Sequence, residues 1–119
     1  MGDMITVIIT GAPYGNENVW NGLRLALTLS LSSIGANVNV FLFGDSVGAA
    51  KKGQVTPEGY YNLGKMLQEL VERDVTVLAC STCLKSRGLG KDDLIDGVEI
   101  GSMMLLSKWI MESDKVLTF

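Results

Sequence analysis

Short apolar runs alternate along the chain with longer segments in which apolar residues recur every three or four positions. The short runs are rich in β-branched residues, which is typical of strands buried on both faces of a sheet. They predict strands over residues 4–9, 38–43, 75–79, 98–100 and 116–119, and the longer segments predict helices over residues 17–34, 57–73 and 101–113. Strands that alternate with helices indicate an α/β fold, with a mostly parallel sheet and helices on both of its faces.

Capping and turn residues set the expected ends of these elements. Asn16 is placed to cap the start of the first helix, and Gly35 is placed to end it. Thr56 is expected to cap the second helix, with Pro57 at its first position. Residues 44–54 show no clear periodicity, so they are predicted to form a mobile loop.

The last predicted helix, over residues 101–113, is apolar around most of its circumference, which indicates burial on more than one side. Its apolar residues are Met103, Met104, Leu105, Leu106, Trp109, Ile110 and Met111. The mean hydropathy of the chain is also high, at +0.28, for a protein of this size. Both observations predict that part of the apolar surface is covered by another subunit.

Length, composition and charge exclude several classes of protein. A chain of 119 residues fits one domain, residues 1–119, and its 47% apolar and 19% charged composition excludes a disordered protein. The net charge of −3 offers no general field for nucleic acid, so no direct nucleic-acid partner is expected. We find no signal-peptide pattern and no apolar run approaching the roughly 18 residues of a membrane helix. The expectation is a soluble cytoplasmic protein that does not bind membranes.

Histidine is missing from the sequence, and cysteine occurs only at Cys80 and Cys83. The lack of histidine excludes Ser-His-Asp and Cys-His catalysis and any histidine-ligated metal site. Zinc needs four ligands, and two cysteines supply half of such a site, so metal would require two subunits. We therefore expect no metal and no cofactor.

Both cysteines follow directly after the third predicted strand. Lys85 and Arg87 come next, and no acidic residue lies between Val75 and Lys91. Basic neighbours stabilise a thiolate, so this loop predicts a lowered pKa for Cys80 and a sulfur nucleophile. In parallel sheets, chemistry sits beyond the carboxyl ends of the strands. The loops over residues 10–16, 44–54 and 80–90 are therefore expected to converge on one site.

Other motifs in these loops give weaker indications. The Cys-x-x-Cys spacing permits a thioredoxin-like dithiol, although Ser81 and Thr82 lie between the cysteines without a proline or glycine. The segment that ends in Gly90 and Lys91 departs from the Walker pattern, because Lys85 occupies the position of its first glycine and Asp92 that of its Ser/Thr. Backbone geometry is the simpler explanation for these glycines.

The segments ITVIITGAPYGNE, VFLFGDSVGAA, ACSTCLKSRG and SDKVLTF resemble, in order and spacing, those of the DsrE/DsrF-like family, which includes the TusD-type sulfur-relay proteins. The similarity spans essentially the whole chain. It implies a three-layer α/β/α domain, flavodoxin-like in outline, with a five-stranded parallel sheet. It also implies a sulfurtransferase that carries sulfane sulfur as a cysteine persulfide between donor and acceptor proteins, in tRNA thiolation or sulfur metabolism. Family members form oligomers, so the expected partners include a homotrimer or homohexamer of this chain, or paralogous subunits.

The resemblance assigns the acting cysteine to Cys80, with Gly88 as the glycine of the following turn. Cys83 adds a second thiol, which either carries the sulfur itself or closes a disulfide with Cys80. Lys85 and Arg87 are expected to stabilise the sulfur anion. The remaining candidate residues of the site loops are Gly11, Tyr14, Gly44, Asp45, Ser81, Thr82 and Gly88. Two alternatives stay open: a non-catalytic assembly subunit, and a dithiol redox or sensor protein that uses Cys80 and Cys83.

Overall fold

A five-stranded sheet forms the centre of the protein, seen in a computed structural model that describes residues 2–119. Its strands are β1 (Met4–Ile9), β2 (Asn37–Leu42), β3 (Thr76–Cys80), β4 (Glu99–Gly101) and β5 (Lys115–Thr118). They lie in the order β4-β3-β2-β1-β5, and every pairing between these strands is parallel. Each bound lies within one residue of the predicted strand. The predicted α/β class is confirmed.

Helices cover both faces of this sheet. They are α1 (Asn18–Leu29), α2 (Leu63–Glu72), α3 (Ser81–Ser86) and α4 (Met103–Glu112), with 3₁₀ helices at Gly44–Ala50 and Lys91–Asp93. Ile9 of β1 packs against Gly22 of α1, whereas Phe41 of β2 meets Trp109 of α4 edge-on at 6.1 Å. Phe41 pairs in register with Ile8, and successive residues of a strand point to opposite faces. The helices α1 and α4 therefore lie on opposite sides of the sheet. In the part of the chain described, no helix combines the length and apolar character needed to cross a membrane.

The first helix is shorter than predicted, since α1 ends at Leu29 and a turn follows. Leu31 and Ile34, which lie within the predicted helix over residues 17–34, are 42% and 55% exposed. The carbonyl of Leu27 near the helix end accepts bonds from the Ser30 hydroxyl at 2.7 Å and from Arg73 Nη1 at 2.8 Å. These side chains take up a carbonyl that a longer helix would have bonded to its own backbone.

The predicted start of the second helix, at Thr56 and Pro57, is wrong. The chain instead makes a turn in which Tyr60 N–H donates to Pro57 O at 3.0 Å, with Gly59 at φ +83°. Helix α2 begins at Leu63, after Asn62, whose side chain accepts a bond from Lys65 N–H at 3.1 Å. Asn62 is therefore the capping residue of this helix.

The segment predicted as a mobile loop contains the 3₁₀ helix Gly44–Ala50 instead. Ser46 is fully buried there, accepting from Phe43 N–H at 2.8 Å and donating to Ile9 O at 2.6 Å. Val47 and Ala49 are also fully buried. Because β2 leads straight into this anchored 3₁₀ helix, the first residues of the 3₁₀ helix are held next to the end of β1.

Within the single chain, helix α4 is buried on one side only, and the predicted cover of its other sides by another subunit stays a prediction. Leu106 is its one buried residue. Met104 and Met111 are 72% and 86% exposed, and Met103 is 48% exposed. The exposed apolar residues of α4 therefore form an open apolar face.

Candidate functional site

Cys80 is the last residue of β3, and its side chain is only 4% exposed. It pairs in register with Gly101 of β4. Helix α3 begins at the next residue, Ser81. Within β3, burial begins at Val77 and continues through the side chain of Cys80.

Burial raises the pKa of the Cys80 thiol above its ordinary value. The backbone N–H groups of Cys83 and Thr82 act in the opposite direction, and the neighbouring Cys83 side chain raises the pKa further. The predicted lowering of this pKa is therefore wrong. The physical reason is that Cys80 ends the strand inside the core instead of opening into the basic loop.

Cys83 lies in α3 and is half-buried, so its sulfur is more accessible than that of Cys80. The backbone N–H of Gly44 donates to Cys83 Sγ at 3.2 Å. Cys83 also lines a shallow apolar depression of about 230 Å³ together with Thr10, Phe43 and Gly44. The site therefore joins a reachable thiol to a backbone donor that can stabilise negative charge on sulfur.

The depression lies where β1, β2 and β3 end side by side, so the predicted convergence of three loops is observed. Thr10 follows β1, Phe43 and Gly44 follow β2, and Cys83 follows β3. Gly44 adopts φ +64°, a left-handed conformation that glycine tolerates best. This requirement gives a physical reason for glycine at the position whose N–H contacts the thiol.

Arg87 is bound to an acidic side chain of the neighbouring loop rather than directed at a sulfur. Its Nη2 and Nε donate to Asp45 Oδ1 at 2.6 and 3.2 Å, and its Nη1 donates to Cys83 O at 3.1 Å. The stretch around the cysteines has no acidic residue of its own, but the 3₁₀ helix after β2 supplies Asp45. Arg87 and Asp45 thus form a clamp between α3 and the segment that carries Gly44. Lys85, the other predicted anion stabiliser, is exposed on α3.

The remaining predicted site residues fall into two groups. Ser81 and Thr82 form the start of α3, and Gly88 follows that helix with φ +69°. Tyr14, by contrast, donates from its hydroxyl to Gln54 Oε1 at 2.6 Å and stacks near Tyr61, with ring centroids 5.8 Å apart. Its hydroxyl also accepts from Leu63 N–H at 3.1 Å. Tyr14 therefore belongs to an aromatic cluster, and the depression around Cys83 is lined by other residues.

Gly11, the last of the predicted site residues, packs against the side chains of Asn16 and Asn18. It therefore serves the turn that leads into α1.

Sequence reasoning did not single out Thr10 and Phe43, which form walls of the depression. Their signal is positional, because each is the first residue after a strand at the carboxyl edge of the sheet. Thr10 is fixed by two bonds to Phe119 O, at 2.8 Å from its N–H and at 3.0 Å from its hydroxyl. Over residues 2–119, no cluster of three or more cysteine or acidic side chains is placed to hold a metal ion.

The family model described as the DsrE/DsrF-like family matches residues 3–119. The chain belongs to the DsrE/DsrF-like family. Within it, the chain is 44% identical over 115 residues to Protein YchN of Escherichia coli, a match that covers 97% of each protein. It is 43% identical over 117 residues to an uncharacterized protein of Methanopyrus kandleri, covering 98% of this chain and 94% of that one.

Solved structures agree with this membership. The crystal structure of the ychN protein from E. coli superposes with a TM-score of 0.91 at 43% identity, covering 100% of both chains. A protein of unknown function from Methanobacterium thermoautotrophicum superposes with a TM-score of 0.73 at 16% identity, covering 98% of this chain and 99% of that one. The second likeness shows the fold alone. The DsrE-like fold is thus shown.

Proposed function

We propose that this DsrE/DsrF-like protein carries sulfane sulfur as a persulfide on Cys83, with Cys80 as a second thiol beside it. The observation that carries the proposal is the bond from Gly44 N–H to Cys83 Sγ, 3.2 Å long, at the wall of an apolar depression. A persulfide carrier needs a thiol that a partner protein can reach and a donor for the sulfur anion. Cys83 has both, whereas Cys80 is nearly closed to solvent.

Sulfur enters by an exchange that leaves the count of S–S bonds unchanged. The Cys83 thiolate attacks the outer sulfur of a donor persulfide, so that a new S–S bond forms at Cys83. The S–S bond of the donor breaks, and the donor leaves as a thiolate. An acceptor thiolate later takes the same sulfur by the same exchange, which restores the Cys83 thiolate. Neither step requires a metal, an external oxidant or an external reductant.

Intact-mass measurement after incubation with glutathione persulfide tests this proposal. Wild type and Cys80→Ser are expected to gain one sulfur atom per chain, and Cys83→Ser is expected to lose that gain. If Cys83→Ser takes up sulfur while Cys80→Ser does not, Cys80 is the entry point and our assignment to Cys83 is wrong. If wild type gains no sulfur while glutathione persulfide stays intact in the same buffer, persulfide carriage itself is wrong.

The adjacency of two free thiols favours a second candidate, a dithiol redox function. In this case a small disulfide oxidant exchanges with Cys83, and the Cys80 thiolate then attacks Cys83 Sγ. The Cys80–Cys83 bond forms, and the oxidant leaves as two thiols. A reversible disulfide with a potential in the cytosolic range, together with no uptake of sulfane sulfur, would favour this function. A reducing cytoplasm, which keeps such thiols free, is the compartment we propose for either function.

We also propose that α4 packs against other copies of this chain or against paralogous subunits, in a trimer or a hexamer. The support is the open apolar face of the helix, on which Met104 and Met111 are the most exposed residues. Methionine adapts its shape to a partner surface more easily than branched residues do. The proteins that donate and accept sulfur would then approach the Cys83 depression.

A further inference from the structure

Trp20, Tyr61 and Tyr60 form a stack of rings on the surface beside α1 and α2. The centroids of Trp20 and Tyr61 lie 5.1 Å apart, and those of Tyr61 and Tyr60 lie 4.4 Å apart. The planes are inclined by only 19° and 24°. We call these three residues the ring stack; neither thiol of the proposed relay is part of it.

Local sequence holds the ring stack in place before any ligand binds. The turn at Gly59 presents Tyr60 and Tyr61 side by side, and Asn62 ties their segment to Gln54 O through a 3.2 Å bond from its Nδ2. Tyr14 lies against both tyrosines, with its hydroxyl bonded to Gln54 and to the first amide of α2. A surface held by such bonds loses little further freedom on binding.

One end of the ring stack already carries a cation. The guanidinium carbon of Arg24 lies 4.3 Å from the centroid of the Trp20 ring. At the other end Tyr60 is 50% exposed, and a groove of about 550 Å³ opens beside it. The faces of aromatic rings attract cations, and the planar guanidinium also stacks on them. The contact between Arg24 and Trp20 is therefore of the same type as the contact that the exposed ring of Tyr60 offers to a ligand.

Charges around the groove favour a positive ligand over an anion. Glu58, Glu69 and Lys65 line it, and Glu69 is paired with Arg73 of the same helix. The pKa of Tyr61 is raised to about 12, mainly by a hydrogen bond with Tyr60 and by burial. The nearby charges of Tyr60 and Glu17 raise this pKa further, so Glu17 also lies near Tyr61. Over residues 2–119, neither Glu58 in the groove nor Glu17 near Tyr61 forms an ion pair, so two carboxylates oppose the single ammonium group of Lys65, which works against a phosphate-bearing ligand.

We infer that the groove beside Tyr60 binds the guanidinium of an arginine side chain presented by a partner protein. The ring of Tyr60 stacks on the guanidinium plane, and Glu58 balances its charge. Lysine fits less well, because its ammonium is compact, strongly hydrated and unable to stack. This inference does not depend on persulfide chemistry at Cys83, since it rests on other residues.

Fluorine NMR offers a direct test, because the protein has three tyrosines and all three lie in this cluster. The full chain is labelled with 3-fluorotyrosine and titrated with the blocked tripeptide Gly-Arg-Gly. The same peptide with citrulline is the neutral isostere of equal shape, and adenosine monophosphate tests a nucleotide ligand. We expect the Tyr60 resonance to shift saturably with the arginine peptide, and the citrulline peptide to bind at least about threefold more weakly.

Two variants locate the contact, with a matched control. Tyr60→Leu removes the ring, so binding to this variant is read from the resonance of the neighbouring Tyr61. Glu58→Gln removes the charge while all rings remain. Each variant is expected to bind the arginine peptide at least about threefold more weakly. Val55→Ala, in the same segment but 93% exposed and outside the groove, should bind like wild type. Equal shifts with arginine and citrulline peptides, tighter binding of adenosine monophosphate, or unchanged binding by Glu58→Gln would each overturn the inference.

Discussion

Arg87 Nη2 donates to Asp45 Oδ1 at 2.6 Å, and this bond joins α3 to the segment that carries Gly44. The Arg87 guanidinium also donates to Cys83 O. One side chain therefore fixes both the helix that carries Cys83 and the segment that carries Gly44, whose N–H donates to Cys83 Sγ. Exposed ion pairs contribute less than about 1 kcal/mol to stability. The consequence of the pair should therefore appear in the reactivity of the thiol more than in the stability of the fold.

Breaking this pair is expected to slow alkylation of Cys83. Arg87→Met frees the segment at Gly44 from α3, so the Gly44 N–H no longer stays bonded to Cys83 Sγ. The rate of Cys83 alkylation by iodoacetamide should therefore fall about threefold or more. Peptide mass mapping of the labelled cysteine at one fixed pH measures the rate. Lys85→Gln removes a charge from the same helix without touching the pair and should react like wild type. An equal loss in both variants would mean that general basic charge, and not the clamp, activates the thiol.

Stability should depend on pH through Cys80. Burial raises the pKa of this thiol above its ordinary value of 9.0, so the folded protein keeps a proton that the unfolded chain loses first. The stabilisation linked to this group is complete below pH ~9 and is lost as the pH rises through the raised pKa. The free energy of unfolding of wild type should therefore fall between pH ~7 and ~10 by more than that of Cys80→Ala.

Urea denaturation at both pH values measures this difference. Cys83→Ala is the matched control, and it should keep most of the wild-type pH dependence. A hydrogen bond to Asp3 raises the pKa of Lys115. Lys115 is present in all three proteins, so its contribution to the pH dependence of stability cancels in the comparison. An identical pH dependence in wild type and Cys80→Ala would contradict burial of the thiol.

The apolar face of α4 should control assembly. Met104→Glu together with Met111→Glu places two charges where a partner surface would bury them, so the assembled species should dissociate towards single chains. Size-exclusion chromatography with light scattering reads the mass directly. Val55→Glu makes the same type of change on an exposed apolar residue outside α4 and should leave the mass of wild type unchanged. A wild type that elutes as a single chain at micromolar concentration would refute the proposed interface.

Gly101 should be sensitive to any added side chain. A Cβ at this position would lie 2.8 Å from Phe41 Cε2 and 2.9 Å from Leu78 Cβ, both in the core beneath β4. Gly101→Ala is therefore expected to cost about 1–3 kcal/mol of the free energy of unfolding. Gly90→Ala, where the nearest atom to a new Cβ is Asp93 Oδ2 at 3.9 Å, should cost much less. Urea denaturation at one protein concentration compares them, and equal losses would argue against the close packing.

The sheet could be predicted from the sequence because its strands are continuous apolar runs between turn residues, a signal that is local and strong. Helix ends were predicted less well. Apolar spacing extended α1 through Leu31 and Ile34, since periodicity does not show where side chains such as Ser30 take up the last carbonyls. Thr56 and Pro57 matched a helix start, but the turn at Gly59 and the cap at Asn62 delay it.

The site was predicted at the level of which loops meet, because a parallel sheet brings the carboxyl ends of its strands together. The environment of each thiol was not predictable in the same way. Whether Cys80 ends a strand or opens a loop depends on one residue of register, and that step decides between a buried and an exposed sulfur. The Asp45–Arg87 pair joins residues that are 42 positions apart in the sequence, so the charge pattern near the cysteines does not reveal it.

The position of β1 between β2 and β5 also sets an order of events during synthesis. Ile5 pairs in register with Lys115, and Met4 N–H donates to Asp114 Oδ2, so strand β1 gains this neighbour only from residues made much later. A chain emerging from the ribosome can pair β1 with β2 early, but its other edge stays open until residues 115–118 are free. Closing so long a loop is slow, and an open strand edge can pair with another chain. Nascent chains that stall before residue 115 should therefore be the species that most needs a chaperone.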